Sequence, residues 1–484
     1  MNKYEEIGFK SGVEIHNRLA TKQKLFCACP PKFSEDEHCC SIVRNQHAVV
    51  GEHGKKDKAA EFEHGKKKDF HYLCYHKETC LVDTDSEPPQ GINQEALQIA
   101  LQIAKIFKCK IPDEIHVMRK IVVDGSNTSS FQRTLLVGRD GGMETSKGIV
   151  TIENVCLEEE SAGIVEKTNR ESIYRLDRLG IPLVEVSTGP NIKDPEHAKE
   201  VAKKIGMIIR STGKSQRGLG VTRQDVNVSI KGGERVEVKG VQDLDAIPEV
   251  IENEIERQKK LVLVGESKEE TRVLRNDGST MYTRPLPGGE RMYPDTDMPV
   301  IIVDKKMIEK IKLPESWEEK EKRIGKILSE DLTKQLLHSE ELERWEKLSK
   351  NFDPKLVAVT LLSTVRDLRR KGIATENLKD KHYQDVFFVL GKGLISKEVI
   401  GDVLEEYSKK PKGTIGEIVA GLGIENMSDQ ELLVIVKDVI RRNPKLVEGK
   451  NIGGLMGDVM KEVRGKVDGG KVKQVLDQVL GEDL

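Results

Sequence analysis

The chain has 484 residues, and at about 150 residues per domain this length predicts roughly three domains. Hydrophobic residues make up 37% of the sequence and charged residues 33%, so there is enough apolar material for packed cores, and extensive disorder is excluded. The formal net charge of -2 comes from 79 basic and 81 acidic side chains. This balance excludes a generally basic nucleic-acid-binding surface but allows local basic patches.

The sequence predicts a cytoplasmic protein without a membrane-embedded segment. The first residues, Met1–His16, lack the apolar core of a secretion signal. No run of about 18 apolar residues occurs, and such a run is what a membrane-spanning helix needs. Eight cysteines in so long a chain do not indicate a disulfide scaffold. We therefore interpret them as reduced thiols or metal ligands.

Changes in composition and periodicity along the sequence divide the chain into three parts. The predicted fold class is α+β. Residues 1–304 carry glycines and short alternating segments, which predict an antiparallel-sheet domain, called here the cradle domain. Residues 27–80 within it form a predicted Cys/His-rich loop. Residues 305–410 show helical periodicity, which predicts an α-helical domain. After the linker Lys409–Gly413, residues 411–484 are predicted to form a small helical tail domain.

Several predicted strands of the cradle domain alternate apolar and polar residues. Residues two apart on a strand point to the same face, so Glu14 and His16 share one face while Val13 and Ile15 share the other. The segments around Glu185, Asp225–Ser229 and Arg235–Lys239 repeat this pattern. The last two segments flank Lys231–Glu234, which predicts a hairpin with matching faces. The polar faces carry Glu14, His16, Glu185, Asp225, Asn227, Ser229, Arg235, Glu237 and Lys239.

Two interpretations of these polar faces are open at this point. One is an ordinary antiparallel sheet with a solvated side. The other is a metal site, because carboxylates accumulate and a predicted strand ends in the three acids Glu158–Glu160. Clustered carboxylates repel each other unless a cation holds them, and oxygen ligands with one imidazole suit Mg²⁺. Mg²⁺ beside basic side chains suits a nucleoside triphosphate and phosphoryl transfer.

The chain carries a series of long motifs, which are Gly12–His16, Lys24–Pro30, Arg119–Thr128, Phe131–Thr134, Tyr174–Leu183, Arg217–Gly220, Arg223–Ile230 and Arg291–Pro294. They resemble the motifs of the family of archaeal glutamyl-tRNA(Gln) amidotransferase E subunits, which are related to the bacterial B subunits. The resemblance covers nearly the whole chain, including the helical tail.

The resemblance implies a ligase that phosphorylates the glutamyl γ-carboxylate of Glu-tRNA(Gln) with ATP and amidates it with ammonia to give Gln-tRNA(Gln). It implies His16, Glu158 and Glu185 as Mg²⁺ ligands, with Glu14 as a neighbouring ligand. Together with Lys239 these residues form the implied catalytic set. Asp225, Asn227 and Glu237 are the implied nucleotide-binding residues.

The chain departs from the family in one large feature and leaves one metal question open. The E subunit normally carries an inserted domain like that of bacterial aspartyl-tRNA synthetases, but here Leu261–Gly265 passes almost directly to Glu269–Arg272. Some B subunits bind Zn²⁺, and Cys27 and Cys29 with Cys39 and Cys40, completed by Cys74 or Cys80, offer thiol ligands for it. The alternative is a set of buried, reduced thiols.

The sequence has no visible amidase signature, so the resemblance implies a partner that releases ammonia from glutamine. That partner is the asparaginase-like glutaminase known as the D subunit, in a heterotetramer of two D and two E subunits. Two other functions are open: a protein similar to the B subunit that also serves Asp-tRNA(Asn), and a tRNA-binding protein with a catalytically silent sheet.

A basic run near the carboxyl end motivates the tRNA-binding role of the tail. We expect it to contact tRNA phosphates without reading bases, while a solvated charged face is the simpler alternative. The run consists of Lys461, Arg464, Lys466, Lys471 and Lys473, opposed by Glu462 and Asp468, with Arg441, Arg442 and Lys445 at the end of an earlier helix.

Overall fold

The computed structural model describes residues 3–482 except 52–53, 219, 276, 338, 340, 424–428, 449–450 and 464–468. The chain forms two compact units, residues 1–317 and residues 318–484. The first unit contains the strands, and the second contains helices and helical turns in its described part. This agrees with the predicted α+β class. The finer predicted boundaries, after residues 304 and 410, stay predictions.

Sixteen strands are described, all in the first unit. They are β1 (Lys10–Arg18), β2 (Cys40–Arg44), β3 (Asp69–Cys74), β4 (Glu114–Ile115), β5 (Val117–Ile121), β6 (Phe131–Thr145), β7 (Gly148–Glu159), β8 (Gly163–Lys167), β9 (Glu171–Arg175), β10 (Pro182–Thr188), β11 (Thr222–Ser229), β12 (Val236–Val241), β13 (Glu270–Leu274), β14 (Thr280–Pro285), β15 (Met292–Pro294) and β16 (Ile301–Ile302).

Ten strands form one large sheet in the order β14-β13-β12-β11-β1-β10-β7-β6-β5-β15. Its described strand pairs are antiparallel except β12 and β13, which run parallel. The predicted sheet was wholly antiparallel, so this pair is a correction. Its cause is the helical crossover α5 (Ile247–Val264) between the two strands, which returns the chain to the same end of the sheet. The predicted hairpin is confirmed, because β11 and β12 pair with Asn227 opposite Glu237.

The apolar face of the large sheet is covered by three helices. These are α3 (Gln94–Ile106), α4 (Pro195–Ser211) and α5, and they share one hydrophobic core with the sheet. Val13 and Ile15 of β1 point into this core and are almost completely buried. Because strand side chains alternate, Glu14 and His16 lie on the opposite face. Three shorter helices complete this unit, α1 (Lys3–Glu6), α2 (Lys58–His64) and α6 (Lys305–Lys310), with helical turns at Leu244–Ala246 and Gly289–Arg291.

The Cys/His-rich segment 27–80 contains three short elements, β2, α2 and β3, joined by irregular stretches. Strands β2 and β3 join β9 and β8 in a four-stranded sheet. Phe70, Tyr72 and Tyr174 form the centre of the small core beneath this sheet. The parallel partner of β3 is β9, which lies about a hundred residues later in the chain, so a local sequence pattern does not reveal this sheet. A two-stranded sheet of β4 and β16 is separate.

The second unit consists of helices connected by short turns. They are α7 (Trp317–Gly325), α8 (Glu330–Leu337), α9 (Leu342–Leu348), α10 (Pro354–Val359), α11 (Val365–Arg370), α12 (Asp380–Gly391), α13 (Ile400–Lys409), α14 (Ile415–Gly421), α15 (Asp429–Arg442), α16 (Pro444–Glu448), α17 (Ile452–Val463) and α18 (Gly469–Glu482). A π-helical segment, Thr360–Thr364, joins α10 to α11, and short helical turns lie at Thr375–Asn377 and Lys397–Val399.

The last helices have a hydrophobic core of their own. Leu432 and Val436 of α15 pack with Val459 of α17 and Leu476 of α18. The preceding helix α14 instead contacts α12 and α13. The apolar residues that define a helix face in the sequence therefore meet within α15, α17 and α18. Among the residues with described placement, no helix combines the length and the apolar composition that crossing a membrane requires.

Candidate active site

The polar face of the large sheet lines a cavity of about 400 Å³. Strand pairing brings its side chains together: His16 lies opposite Glu185 across β1 and β10, and Glu14 lies opposite Asp225 across β1 and β11. All eight residues that the sequence assigns to the site line this cavity. They are Glu14, His16, Glu158, Glu185, Asp225, Asn227, Glu237 and Lys239.

Glu14, His16 and Glu185 form a group whose ligand atoms all lie within 4.8 Å of one another. His16 Nε2 lies 3.0 Å from Glu185 Oε2. Burial disfavours a charged imidazole, but the hydrogen bond to Glu185 and nearby carboxylates outweigh it and raise the pKa of His16 to about 9. Burial and the carboxylates of Glu185 and Glu237 raise the pKa of Glu14 to about 7. The group thus has an excess of negative charge that a divalent cation would neutralise.

A second carboxylate group shares Glu14. Its ligand atoms, from Glu14, Asp225 and Glu237, also lie within 4.8 Å of one another. Lys239 Nζ is 2.6 Å from Asp225 Oδ2 and 2.8 Å from Glu237 Oε1. Burial opposes the charge of Lys239, but these carboxylates prevail and raise its pKa above the usual value. A protein ammonium group therefore already compensates this second carboxylate group.

Glu158 is held in a different way from the other predicted metal ligands. Its Oε1 accepts hydrogen bonds from Lys120 Nζ at 2.6 Å and from Thr134 Oγ1 at 2.7 Å. Gln132 Nε2 donates to its Oε2 at 3.1 Å. In the described part of the chain, Glu158 does not belong to the close group of Glu14, His16 and Glu185. Lys120 holds it at the edge of that group.

The donor set fits a hard divalent cation such as Mg²⁺. It offers carboxylate oxygens and one imidazole nitrogen, and the cavity leaves room for retained water ligands. Burial is the largest cause of the raised pKa of Glu14, and the carboxylates of Glu185 and Glu237 add to it. Lysine and arginine side chains on the same surface fit the phosphates of a nucleotide.

Several residues of the cavity are not found by sequence reasoning. Lys120, Gln132, Arg223 and Arg291 all line it. Arg223 could have been found, because it precedes Asp225 by two residues and therefore shares its face. Lys120 carried no such signal. Its proximity to Glu158 depends on the order of β5, β6 and β7 in the sheet.

The cysteines form two groups that differ from the predicted one. Cys27, Cys29, Cys80 and Asp83 place their ligand atoms within 4.8 Å of one another. Cys39 and Cys40 lie elsewhere, at the start of β2 opposite Cys74. The predicted combination of Cys27 and Cys29 with Cys39 and Cys40 is therefore wrong, and Asp83 was not considered. Cys40 begins β2 and pairs with Cys74 of β3, so Cys39 and Cys40 do not lie with Cys27 and Cys29.

The predicted basic surface of the tail lies only partly within the described chain. Arg464, Lys466 and Asp468 are outside the described residues. Lys461 Nζ pairs with Asp458 at 2.9 Å, and Arg442 Nη2 pairs with Glu462 at 2.9 Å. These two cations are partly compensated by neighbouring acids.

Comparisons with known proteins find similarity over nearly the whole chain. Residues 9–309 match the model of the GatB/GatE catalytic domain, and residues 341–480 match that of the GatB domain. The glutamyl-tRNA(Gln) amidotransferase E subunit of Methanococcus vannielii is 36% identical, and that of Methanocaldococcus jannaschii is 37% identical, each over 99% of both chains. The protein of that name from Methanosarcina barkeri is 35% identical over 99% of this chain and 98% of the relative.

The lengths of these alignments bear on the missing insert. The M. vannielii alignment spans 626 positions for a chain of 484 residues, so at least 142 of its positions have no residue here. This agrees with the predicted loss of an inserted domain. Both the extent of the similarity and the catalytic-domain match over residues 9–309 lead to one assignment. The chain belongs to the GatB/GatE family.

Proposed function

We propose that this chain is the phosphorylating, tRNA-binding subunit of a glutamyl-tRNA(Gln) amidotransferase. A γ-carboxylate oxygen of the tRNA-bound glutamate attacks the γ-phosphorus of ATP, the bond to the β–γ bridging oxygen breaks, and ADP leaves. Ammonia then attacks the activated carbonyl carbon, phosphate leaves, and the nitrogen loses a proton to give Gln-tRNA(Gln). The observation that carries the proposal is the cavity in which carboxylates, an imidazole and lysines converge on one sheet face.

Each group at the site has a proposed role. His16, Glu185 and Glu14 would hold Mg²⁺. Glu158 would become a further ligand if the metal displaced Lys120 from its carboxylate. Bound Mg²⁺ would supply charge stabilisation for the phosphates during transfer. Lys239, fixed by Asp225 and Glu237, presents a compact positive charge to a phosphate oxygen. Asn227 Nδ2 donates to Glu14 Oε1 at 3.1 Å and orients that carboxylate.

The proposed assembly extends beyond this chain. Because no amidase signature is visible in the sequence, ammonia is supplied by the asparaginase-like glutaminase, the D subunit. We expect a heterotetramer of two D and two E subunits, located in the cytoplasm where Glu-tRNA(Gln) is made. The relatives are named as one lettered component of their enzyme, the E subunit, which supports a multi-subunit assembly.

The decisive experiment measures ATP consumption and product with charged tRNA. The purified chain is incubated with Mg²⁺, ATP and Glu-tRNA(Gln), with either ammonium or glutamine. We expect phosphate release and Gln-tRNA(Gln) with ammonium alone, and glutamine use only after the D subunit is added. Asp-tRNA(Asn) serves as the second substrate arm, and its amidation would favour the alternative of a protein similar to the B subunit. No tRNA-dependent ATP hydrolysis in any arm would favour a catalytically silent tRNA-binding protein.

We also propose a structural Zn²⁺ site at Cys27, Cys29, Cys80 and Asp83. Hydrogen bonds from the other two thiols stabilise the Cys80 thiolate and lower its pKa, which suits a metal ligand. Asp83 is oriented for this role, because its Oδ2 accepts the Cys80 N–H at 3.0 Å. Its Oδ1 pairs with buried Lys24 at 3.0 Å, so Lys24 competes with the metal for that carboxylate.

Metal analysis tests the Zn²⁺ site. We expect about one zinc per chain in the wild type, none in Cys80→Ser, and full occupancy in Cys39→Ser, because Cys39 lies outside the group. The Cys39 variant is a matched control for thiol loss. Equal zinc content in all three proteins, or no zinc in the wild type, would support buried reduced thiols instead.

A further inference from the structure

Arg18, at the end of β1, is a largely buried arginine. The residue is 5% exposed, and its Nε is buried without a hydrogen-bond acceptor. In the part of the chain that is described, its side chain makes no hydrogen bond or ion pair; it stacks over the ring of Phe33 at 5.1 Å from the ring centre. Burying an unpaired charge is costly, so this arrangement calls for an anion.

Two more arginines stand beside Arg18, with one acid among the three. Arg223 Nη2 donates to both carboxylate oxygens of Glu160 at 2.8 Å, and Arg178 Nη2 lies 3.0 Å from Glu160 Oε1. The Nε atoms of Arg178 and Arg223 are also buried without acceptors. Arg18 lies close enough to Glu160, Arg178 and Arg223 to interact with all three electrostatically. Three guanidinium groups therefore share one carboxylate, and the cluster is short of negative charge.

The cluster is continuous with the cavity and ends at an exposed aromatic ring. Glu160 and Arg223 line the cavity. At the other side of the cluster, Phe33 is 44% exposed although it lies against two guanidinium groups, those of Arg18 and Arg175. Such a ring offers a base a surface on which to stack, and arginine is the side chain best suited to phosphate oxygens.

The chain segment that carries Phe33 is fixed in place. Ser34 N–H donates to Asp177 Oδ2 at 2.7 Å, and Arg175 Nη2 donates to Ser34 O at 3.0 Å. Asp177 is fully buried and also pairs with Arg175. A ring that is held by its neighbours in the chain loses little freedom when a base stacks on it, which favours binding.

We propose that Arg18, Arg178 and Arg223 bind a nucleotide phosphate and that Phe33 stacks on the base attached to it. The inference rests on the proposed function, since both of its substrates bring a nucleotide, ATP or the single-stranded 3′ end of the tRNA. The shared chemistry is one base with its phosphate. The acids in the other part of the cavity would then hold the metal, beside the phosphoryl group that is transferred.

The experiment measures binding to the full-length chain without turnover. The probes are ATP with Mg²⁺ and a four-nucleotide single-stranded RNA that ends in CCA. Loss of one base–aromatic stack costs about 1–3 kcal/mol, so Phe33→Leu should weaken one probe roughly five- to 150-fold, and Phe33→Trp should retain its affinity. Arg18→Met should weaken the same probe and, for RNA, lower the slope of log affinity against log salt by about 0.7.

Thermal stability separates ligand binding from a structural role. Removing an unpaired buried charge should leave the melting temperature of Arg18→Met unchanged or higher, while its affinity falls. The matched control is Phe388→Leu, because Phe388 is 54% exposed and carries Lys392 over its ring at 4.4 Å. This variant should bind both probes as the wild type does.

Each outcome has a defined meaning. Weaker RNA binding with normal ATP binding assigns the subsite to the tRNA end, and the reverse assigns it to ATP. Unchanged affinity for both probes in Phe33→Leu and Arg18→Met would overturn the proposal, as would a lower melting temperature with unchanged affinity. A wild type that binds a probe through these residues but never phosphorylates Glu-tRNA(Gln) would sink the proposed function and leave the subsite standing.

Discussion

The two parts of the cavity differ in which charge they lack. At the acidic part, Glu14, Glu185, Asp225 and Glu237 surround His16 and Lys239, with Lys120 near Glu185, and burial with neighbouring carboxylates raises the pKa of Glu14 to about 7. At the arginine part, Glu160 is the acid that faces three guanidinium groups among the described residues. One part needs a cation and the other an anion. A metal-bound nucleotide or a tRNA end brings both, so the difference indicates which portion of a substrate each part receives.

A third cluster, outside the cavity, pairs its charges within the protein and provides a reference. Asp295 accepts from Arg133 Nε at 2.9 Å and from Arg119 Nη2 at 3.2 Å. Arg133 also reaches Glu159 Oε1 at 3.3 Å, and Arg119 Nη2 donates to Asp297 Oδ2 at 2.7 Å. Three acids and two arginines thus tie the segment after β15 to β5 and β6, which is the pattern of a structural site and not of a binding site.

The largest effect is expected from breaking this third cluster. Asp295→Asn should lower the free energy of unfolding by about 3–5 kcal/mol, because it removes a fully buried carboxylate that two arginines share. Glu256→Gln, which removes one acid of an exposed pair with Lys259, should cost no more than about 1 kcal/mol. Urea unfolding of both variants measures the difference. Equal losses would show that Asp295 behaves as a surface acid.

The same variant has a pH signature with a definite sign. Burial opposes the charge of Asp295, but the hydrogen bond from Arg119 and the charges of both arginines lower its pKa. Its stabilisation is present above its unfolded pKa of about 3.9 and is lost as the pH falls through the lower folded pKa. The stability difference between wild type and Asp295→Asn should therefore be constant above about pH 5 and narrow below about pH 4.

The next effect concerns the acidic part of the cavity. Glu185→Gln or His16→Ala should lower Mg²⁺-dependent phosphorylation of Glu-tRNA(Gln) roughly 10²–10³-fold, since each removes a group that organises charge in the transition state. The matched control is Glu171→Gln, because Glu171 forms a comparable pair with His71 at 3.4 Å on the small sheet. Single-turnover ADP formation is the measurement. Full activity in Glu185→Gln would show that Glu185 is not a metal ligand.

The smallest effect is expected from the second unit. Removing residues 424–484 takes away the core of α15, α17 and α18 but leaves α14 on α12 and α13. Each lost lysine–phosphate contact should lower the salt slope of tRNA binding by about 0.9, while phosphorylation at saturating Glu-tRNA(Gln) persists. Filter binding across a salt series measures the slope. An unchanged slope would show that the tail does not hold tRNA.

The faces of individual strands could be predicted, but the order of strands could not. Alternation correctly placed Glu14 and His16 opposite Val13 and Ile15, and the same rule extended to Arg18 and Arg223 would have revealed the arginine part of the cavity. The sequence signal for helix α3 is equally clear, because Asn93 caps the helix and its alanines and leucines lie on one apolar face.

Contacts between residues that are distant in the sequence could not be predicted from local sequence patterns. The Lys120–Glu158 pair depends on β5, β6 and β7 being adjacent, and nothing in a local pattern encodes that order. The thiol group likewise needed the small sheet to fold before Cys80 and Asp83 could meet Cys27. Cys39 and Cys40 are adjacent in the sequence, which is poor spacing for two ligands of one ion, and in the structure they lie at the start of β2 opposite Cys74.

The connection between α5 and β13 has a consequence for engineering. Gly265, in the left-handed conformation (φ 71°), caps the carboxyl end of helix α5. Strand β13 begins at Glu270 beside its parallel partner β12. The intervening turn is exposed, and Leu263 and Val264 before it face solvent. Because chain closure there depends little on length, this turn is a natural position at which to graft a fluorescent reporter or an affinity module. Such a fusion would leave both termini free and keep the strand register of the large sheet.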